Sequence, residues 1–200
     1  MSWAAVLEDF ATQGGERSDA AYRRLVARLW DQGQLKGDAA LAIPPLIGVF
    51  ARPGTPEIKR ARIALLLGLL AEGRDDDSAE SRAAPVRAAI RLGLPHYLEM
   101  LGNSATPAAR LGVIYLLAHL YEDGAAILAH PSLQGTAGMA AKARLERVLQ
   151  FQDASRGDLG DYAKQFVPDG AAHPDGARSQ IRASLLAPLG AEAQFAIERA

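Results

Sequence analysis

Apolar and polar positions recur along the chain at a fixed distance. An apolar-Pro-x-x-apolar segment over 43–50 is matched by a second one over 94–101, an offset of 51 residues. Thr55-Pro56 and Thr106-Pro107 follow these segments at the same offset. Threonine is a good N-cap, and proline fits the first turn of a helix. Each Thr-Pro pair therefore predicts the start of a helix.

Each of these helices continues as a long apolar run and ends at an acidic residue and a glycine. The runs cover 63–71 and 113–121, and their ends are Glu72-Gly73 and Glu122-Asp123-Gly124. A helix that is apolar on nearly all sides is expected to lie between neighbouring helices. A helical unit that recurs about every 50 residues is typical of an α-solenoid of stacked antiparallel helix pairs.

The complete pattern predicts about nine or ten helices in one domain over 1–200. Their predicted ranges are 3–12, 18–32, 37–51, 56–72, 84–92, 94–102, 107–122, 137–152, 178–188 and 190–199. The repeat core covers 18–150, and capping helices cover 178–200. Glycine and proline punctuate 153–177, which predicts a long loop or a flexible linker.

Composition supports an all-α fold and limits where in the cell the protein is expected. Forty alanines and twenty-seven leucines stand against twenty valines, isoleucines and threonines together, a balance that favours helix over sheet. The longest apolar runs fall far short of the roughly 20 residues that a membrane span needs. The start of the chain lacks a basic region, and cysteine is absent. We therefore expect a cytoplasmic protein without a membrane partner.

Two features of the repeated unit resemble HEAT-like repeat proteins. Pro44 and Pro95 lie in the first helix of each unit, and Arg60 and Arg110 follow the Thr-Pro starts of the second. The likeness covers about residues 18–150.

A third feature resembles a bacterial subgroup of these proteins. In that subgroup a helix ends in Trp-His-Gln-Gly before an alanine-rich helix that contains proline. In this chain Trp30-Asp31-Gln32-Gly33 precedes such a helix, with Asp31 in place of the histidine. The resemblance implies a HEAT-like α-solenoid that binds a partner protein. Enzymes such as DNA alkylpurine glycosylases and bilin lyases are exceptions among such arrays.

One candidate for chemistry lies at the end of the predicted helix 107–122. Tyr115, His119 and Glu122 or Asp123 are spaced so that they share one helical face. An imidazole and a carboxylate one turn apart can act as an acid–base pair. The alternative is that His119 has a structural role at the helix end. Two ligands do not complete a metal site, so we expect no metal and no cofactor.

A second candidate is a partner-binding rim at one edge of the stacked helices. Corresponding helices end at Trp30, Asp31 and Gln32, at Glu72, and at Tyr121 and Glu122. Aromatic residues among acids would suit a basic or amphipathic partner segment. The alternative is that Trp30 fills the seam between helices while the acids are solvated.

A third candidate consists of arginines one helical turn apart. Arg24 and Arg28, and likewise Arg87 and Arg91, are i, i+4 pairs that could hold phosphates. The formal net charge of −1 disfavours nucleic acid as a partner.

We therefore predict a protein-interaction scaffold that binds a partner on its concave face. It would act as an adaptor, an immunity factor or a non-catalytic partner subunit, and the partner would be encoded nearby. A small enzyme or lyase that uses the groove is the first alternative, and a nucleic-acid-binding protein is the second.

Overall fold

The computed structural model describes residues 2–31, 34–37, 39–72, 83–104, 106–154 and 174–200. Within these ranges the chain forms ten α-helices and one pair of two-residue strands. The all-α prediction is therefore confirmed for the described residues.

The helices are numbered in chain order. They are α1 (Trp3–Thr12), α2 (Gly15–Leu29), α3 (Ala39–Ala51), α4 (Glu57–Glu72), α5 (Ala83–Arg91), α6 (Leu94–Asn103), α7 (Pro107–Ala118), α8 (Gly124–Ala129), α9 (Thr136–Ala154) and α10 (Pro174–Glu198). Strands β1 (Trp30–Asp31) and β2 (Gln34–Leu35) pair antiparallel between α2 and α3. Short 3₁₀ turns cover Tyr121–Asp123 and Pro131–Leu133.

The Thr-Pro motifs start helices as predicted. The Thr106 side chain accepts a hydrogen bond from the backbone N–H of Ala109 at 3.3 Å, which caps α7. Thr55 lies just before α4 and donates its hydroxyl to the carbonyl of Val49 at 2.9 Å. In both places the threonine satisfies backbone groups where the chain changes direction.

Helices α4 and α7 form the centre of the core and pack closely on each other. Nine of the twelve residues of α7 are buried. A Cβ added at Gly112 of α7 would meet the carbonyl oxygen of Ala61 in α4 at 2.8 Å. Glycine is thus required where the two backbones approach. α3 also packs on α4, and α6 packs on α7.

The last helix returns to this centre. Leu186, Leu189, Ala193 and Ile197 form a buried stripe on α10, which packs mainly on α7 and also on α4 and α9. The predicted break between 188 and 190 is wrong, because Pro188 lies inside one continuous helix. The predicted loop 153–177 is helical at 153–154 and 174–177, and residues 155–173 lie outside the described ranges.

Two other predicted helix ends differ from the structure. The helix predicted over 18–32 ends at Leu29, and the chain turns into the β1–β2 pair. The helix predicted over 107–122 ends at Ala118, and the sequence pattern did not predict α8. Trp30 follows α2, and Leu120 and Tyr121 follow soon after α7, so hydrophobicity gave no stop signal at the true ends.

Among the described residues, no single helix is both long enough and apolar enough to cross a membrane. The segments Pro107–Ala118 and Tyr121–Ala129 pass a test of length and composition only when taken together, and the break between them is bent by 87°.

Candidate functional site

A surface groove lies between α2, β1, α4 and α10. It encloses about 760 Å³, a volume in the range of sites that bind side chains or small molecules. The residues that line it are Asp19, Tyr22, Arg23, Val26, Ala27, Trp30, Asp31, Arg62, Leu65, Leu69, Gln194, Ile197 and Glu198. We call this site the α2–α4–α10 groove.

The floor of the groove is apolar and aromatic. Tyr22 and Val26 are one turn apart on α2, and Leu65 and Leu69 are one turn apart on α4. Residues four apart lie on one face of a helix, so each pair presents its side chains to the same side. Ile197 closes the floor from α10. Three helices thus contribute to one apolar surface.

Two of the acids that line the groove form ion pairs, one with a lining arginine and one with a lysine outside the lining. The Asp19 carboxylate pairs with Arg62 at 2.5 Å, and the Arg62 guanidinium lies over the Tyr22 ring at 5.8 Å. Asp31 pairs with Lys36 at 3.2 Å. These contacts hold the Arg62 guanidinium against the face of the Tyr22 ring, which is a cation–π arrangement.

The polar residues of α10 and the exposed arginine of α2 complete the wall. The Gln194 side-chain amide donates to Glu198 at 2.9 Å. Arg23 is exposed and forms no ion pair with any residue in the described ranges. It is thus the groove's cation that a bound molecule can reach.

Two aromatic polar groups of the groove are donors. Burial raises the pKa of Tyr22 above its ordinary value of 10.0, although the nearby Arg62 charge acts in the opposite direction. A phenol is protonated at neutral pH already at its ordinary pKa, and the neutral hydroxyl can donate a hydrogen bond. The Trp30 Nε1 atom is buried and meets no acceptor in the described part of the chain.

The residues of the predicted partner-binding rim have different surroundings. Trp30 and Asp31 line the groove, whereas Glu72, Tyr121 and Glu122 do not. Glu72 accepts a hydrogen bond from the Tyr115 hydroxyl at 2.7 Å, and Glu122 pairs with Arg91 at 2.9 Å. Gln32 lies outside the described residues.

The predicted acid–base group is split by the early end of α7. His119 is the C-cap of α7, so it does not share a helical face with Asp123. The His119 ring meets the Tyr115 ring edge-on, with 4.7 Å between centroids. Burial, with the hydrogen bond to Glu72, raises the pKa of Tyr115. A phenol in that state is a hydrogen-bond donor and a poor proton acceptor at neutral pH.

Arg91 forms ion pairs with the two acids that follow α7. Arg91 donates to Glu122 at 2.9 Å and to Asp123 at 2.7 Å. The hydrogen bond to Asp123 raises the pKa of Arg91. Over the described residues, no group of three or more histidine, aspartate or glutamate side chains could hold a metal ion.

The arginine pairs have different surroundings. Arg91 is held by the two acids, and its partner Arg87 is half-buried on α5. Arg24 and Arg28 are exposed on α2, and neither lines the groove.

Sequence reasoning missed the residues of α2, α4 and α10 that build the groove. The row Tyr22, Val26 and Trp30, at a spacing of four, was a signal for an aromatic face on α2. The contribution of Ile197 had no such signal, because it depends on where α10 packs.

Comparison with models of protein families, with curated proteins and with solved structures found no match. The geometry of the α2–α4–α10 groove is therefore the strongest information on function.

Proposed function

We propose that the protein is a non-catalytic binding module that takes up a segment of a partner protein in the α2–α4–α10 groove. The observation that carries this proposal is the apolar and aromatic floor of Tyr22, Val26, Trp30, Leu65 and Leu69, edged by charged groups. Protein interfaces derive most of their affinity from apolar and aromatic residues in a central pocket, with polar groups at the rim.

The ion pairs of the groove's two aspartates favour binding over catalysis at these carboxylates. Asp19 is paired with Arg62, and Asp31 is paired with Lys36. A general base needs a carboxylate that can reach the substrate proton. The alternative enzyme centre of Tyr115, His119, Glu122 and Asp123 has less support, since Arg91 holds both acids.

We also propose that residues 18–150 are a HEAT-like α-solenoid core. The packing of α3 on α4, of α6 on α7 and of α4 on α7 supports this architecture. Such arrays commonly act as scaffolds, which agrees with a role as an adaptor, an immunity factor or a partner subunit of an enzyme. A partner encoded nearby would suit each of these roles.

Site-specific photo-crosslinking from the groove tests the function. Ala27 lies on the groove wall and is exposed, whereas Ala126 is exposed on α8 and does not line the groove. A photoreactive residue placed at 27 in the complete chain should join a protein of defined mass in the cells that contain it. The same residue at 126 should not. Equal products from both positions, or none from 27, would contradict the proposal.

A further inference from the structure

We propose that a second copy of this chain occupies the α2–α4–α10 groove when the partner is absent, and that the two copies exchange Phe195 across a two-fold axis. The Phe195 ring of each copy would lie on the apolar floor of the other, with Glu198 of the first beside Arg23 of the second. This inference rests on the proposed function, because a partner segment would enter the same groove and displace the second copy. An exposed aromatic ring beside the groove and two opposite charges in its lining carry it.

The side chain that would enter the groove is Phe195 on α10. It is 58% exposed, and it is the aromatic residue among the large apolar side chains that the described part of the chain leaves exposed. Its neighbours Gln194 and Glu198 line the groove, whereas Phe195 itself does not. The Arg199 guanidinium lies over the ring, at 5.1 Å from its centroid. The ring thus stands beside its own groove without entering it. Aromatic side chains that enter a pocket of the partner supply much of the affinity of an interface.

Two charges of the groove have no ion-pair partner within the described ranges, Arg23 on α2 and Glu198 on α10. The Gln194 amide that donates to Glu198 at 2.9 Å is neutral and leaves the charge of the carboxylate in place. An interface between two identical copies related by a two-fold axis must be complementary to itself. Arg23 and Glu198 meet this condition, because the rotation that brings one against the other forms two equal ion pairs.

The spacing of the residues agrees on the two helices. Phe195 and Glu198 are three residues apart on α10, and Arg23 and Val26 are three residues apart on α2. Residues three apart are neighbours on the surface of a helix. A Phe195 ring that lies on Val26 therefore brings the Glu198 carboxylate of its own copy to the Arg23 guanidinium of the other. In this arrangement α10 of one copy runs antiparallel to α2 of the other.

The two-fold symmetry makes the contact sensitive to single substitutions. Each contact of such an interface occurs twice, so one substitution removes two contacts. The formal net charge of the chain is −1, and repulsion between two copies is therefore weak. Local contacts at the groove decide whether the copies associate.

Sedimentation equilibrium of the purified complete chain over a range of concentrations tests the inference. We expect a reversible equilibrium between monomer and dimer. Phe195→Ala should weaken dimerisation by at least about tenfold, because the ring leaves both grooves. Leu41→Ala is the matched control, since Leu41 is 67% exposed on α3 and does not line the groove. It should dimerise as the unchanged chain does.

Charge reversal tests the pairing of Arg23 with Glu198. Arg23→Glu and Glu198→Arg should each weaken the dimer by about tenfold, because like charges then meet at both contacts. A mixture of the two variants should recover the dimer, since both ion pairs form again between one chain of each kind. Arg24→Glu is the control for charge alone, because Arg24 is exposed on α2 and does not line the groove.

The outcomes separate this inference from the proposed function. A chain that stays monomeric at every concentration would overturn the inference, and so would a dimer that Phe195→Ala leaves unchanged or a mixture that recovers no dimer. These results would not affect the proposed function, whose test is a crosslink from position 27 to a different protein in cells. A crosslink from position 27 to a second copy alone would support the inference and contradict the proposed function. Circular dichroism checks the helical content of every variant.

Discussion

Tyr97 and Tyr115 are buried almost completely, and each donates its hydroxyl inside the fold. The Tyr97 hydroxyl donates to the carbonyl of Ile90 at 3.1 Å, and that of Tyr115 donates to Glu72 at 2.7 Å. Burial raises the pKa of both phenols above 10.0, and at Tyr115 the Glu72 carboxylate adds to the shift. Folding therefore depends on both phenols keeping their protons.

This linkage predicts a loss of stability at alkaline pH. Above pH 10 the unfolded chain loses both phenolic protons while the folded chain keeps them. The folded state then binds more protons, so the free energy of unfolding falls as pH rises. The expected slope is about 1.4 kcal/mol per pH unit for each phenol. Urea unfolding at a series of pH values from 8 to 11 measures this slope.

The double variant Tyr97→Phe with Tyr115→Phe is the control for the alkaline slope. It should start from a lower stability at pH 8 and lose much less between pH 10 and 11. Tyr22, whose pKa burial also raises, adds to the slope, and Lys59 acts in the opposite sense, since burial lowers its pKa. Both residues are present in both chains and cancel in the comparison. An equal slope in the two chains would exclude the phenols as its cause.

Some contacts of single buried polar side chains could not be predicted from the sequence. Lys59 on α4 donates to the carbonyls of Ala11 and Gln13 at 2.8 and 2.7 Å, at the C-terminal end of α1. A cation at that end of a helix satisfies carbonyls that lack partners within the helix. The pairing joins residues 48 and 46 positions apart, so local spacing could not reveal it.

Two glycines hold the central helices at a close distance. The ring of Tyr115 on α7 lies between Gly68 of α4 and Gly190 of α10. A Cβ at Gly68 would meet the ring at 2.5 Å, and one at Gly190 would meet it at 3.0 Å. Because the ring is held on both sides, it cannot yield to an added methyl group. The contact explains why these helices carry glycine inside helical segments.

Alanine substitutions test this packing at the scale of the helices. Gly68→Ala should lower the free energy of unfolding by about 1–3 kcal/mol through overpacking, and Gly190→Ala should act in the same direction. Gly48→Ala in α3 is the control, because nothing lies within 4 Å of its added Cβ. That change should raise stability by about 0.5–1 kcal/mol through helix propensity. Chemical denaturation measures all three, and stabilisation by Gly68→Ala would refute the close contact.

The helices were largely predictable where local signals mark their ends. Thr106-Pro107 starts α7 with the expected cap, and Gly73 follows the last residue of α4. The predicted helix bounds were wrong where packing, and not a local sequence signal, decides where a helix ends. Pro188 sits inside α10, and α7 ends at Ala118 although apolar residues continue to Tyr121.

At the scale of the whole molecule, the groove exists because α10 returns to α4 and α7. Its stripe of Leu186, Leu189, Ala193 and Ile197 was visible as a helical pattern, but its partners were not. The sequence pattern predicted that Trp30 and Asp31 bind a partner at an edge shared with Glu72 and Glu122. In the structure they face α4 and α10. Long-range packing of this kind has no local signature.

The central claim is tested most directly with the partner protein that crosslinking identifies. The purified partner is titrated onto two tryptophan variants of the chain. Ala27→Trp would place a large ring on the wall of the groove and fill space inside it. Ala126→Trp adds the same bulk on α8, away from the groove. Calorimetric titration should give an affinity at least about tenfold weaker for Ala27→Trp, because the apolar side chain of the partner loses its place. Ala126→Trp should bind as the unchanged chain does. Equal affinities for both variants would contradict a binding site in the α2–α4–α10 groove.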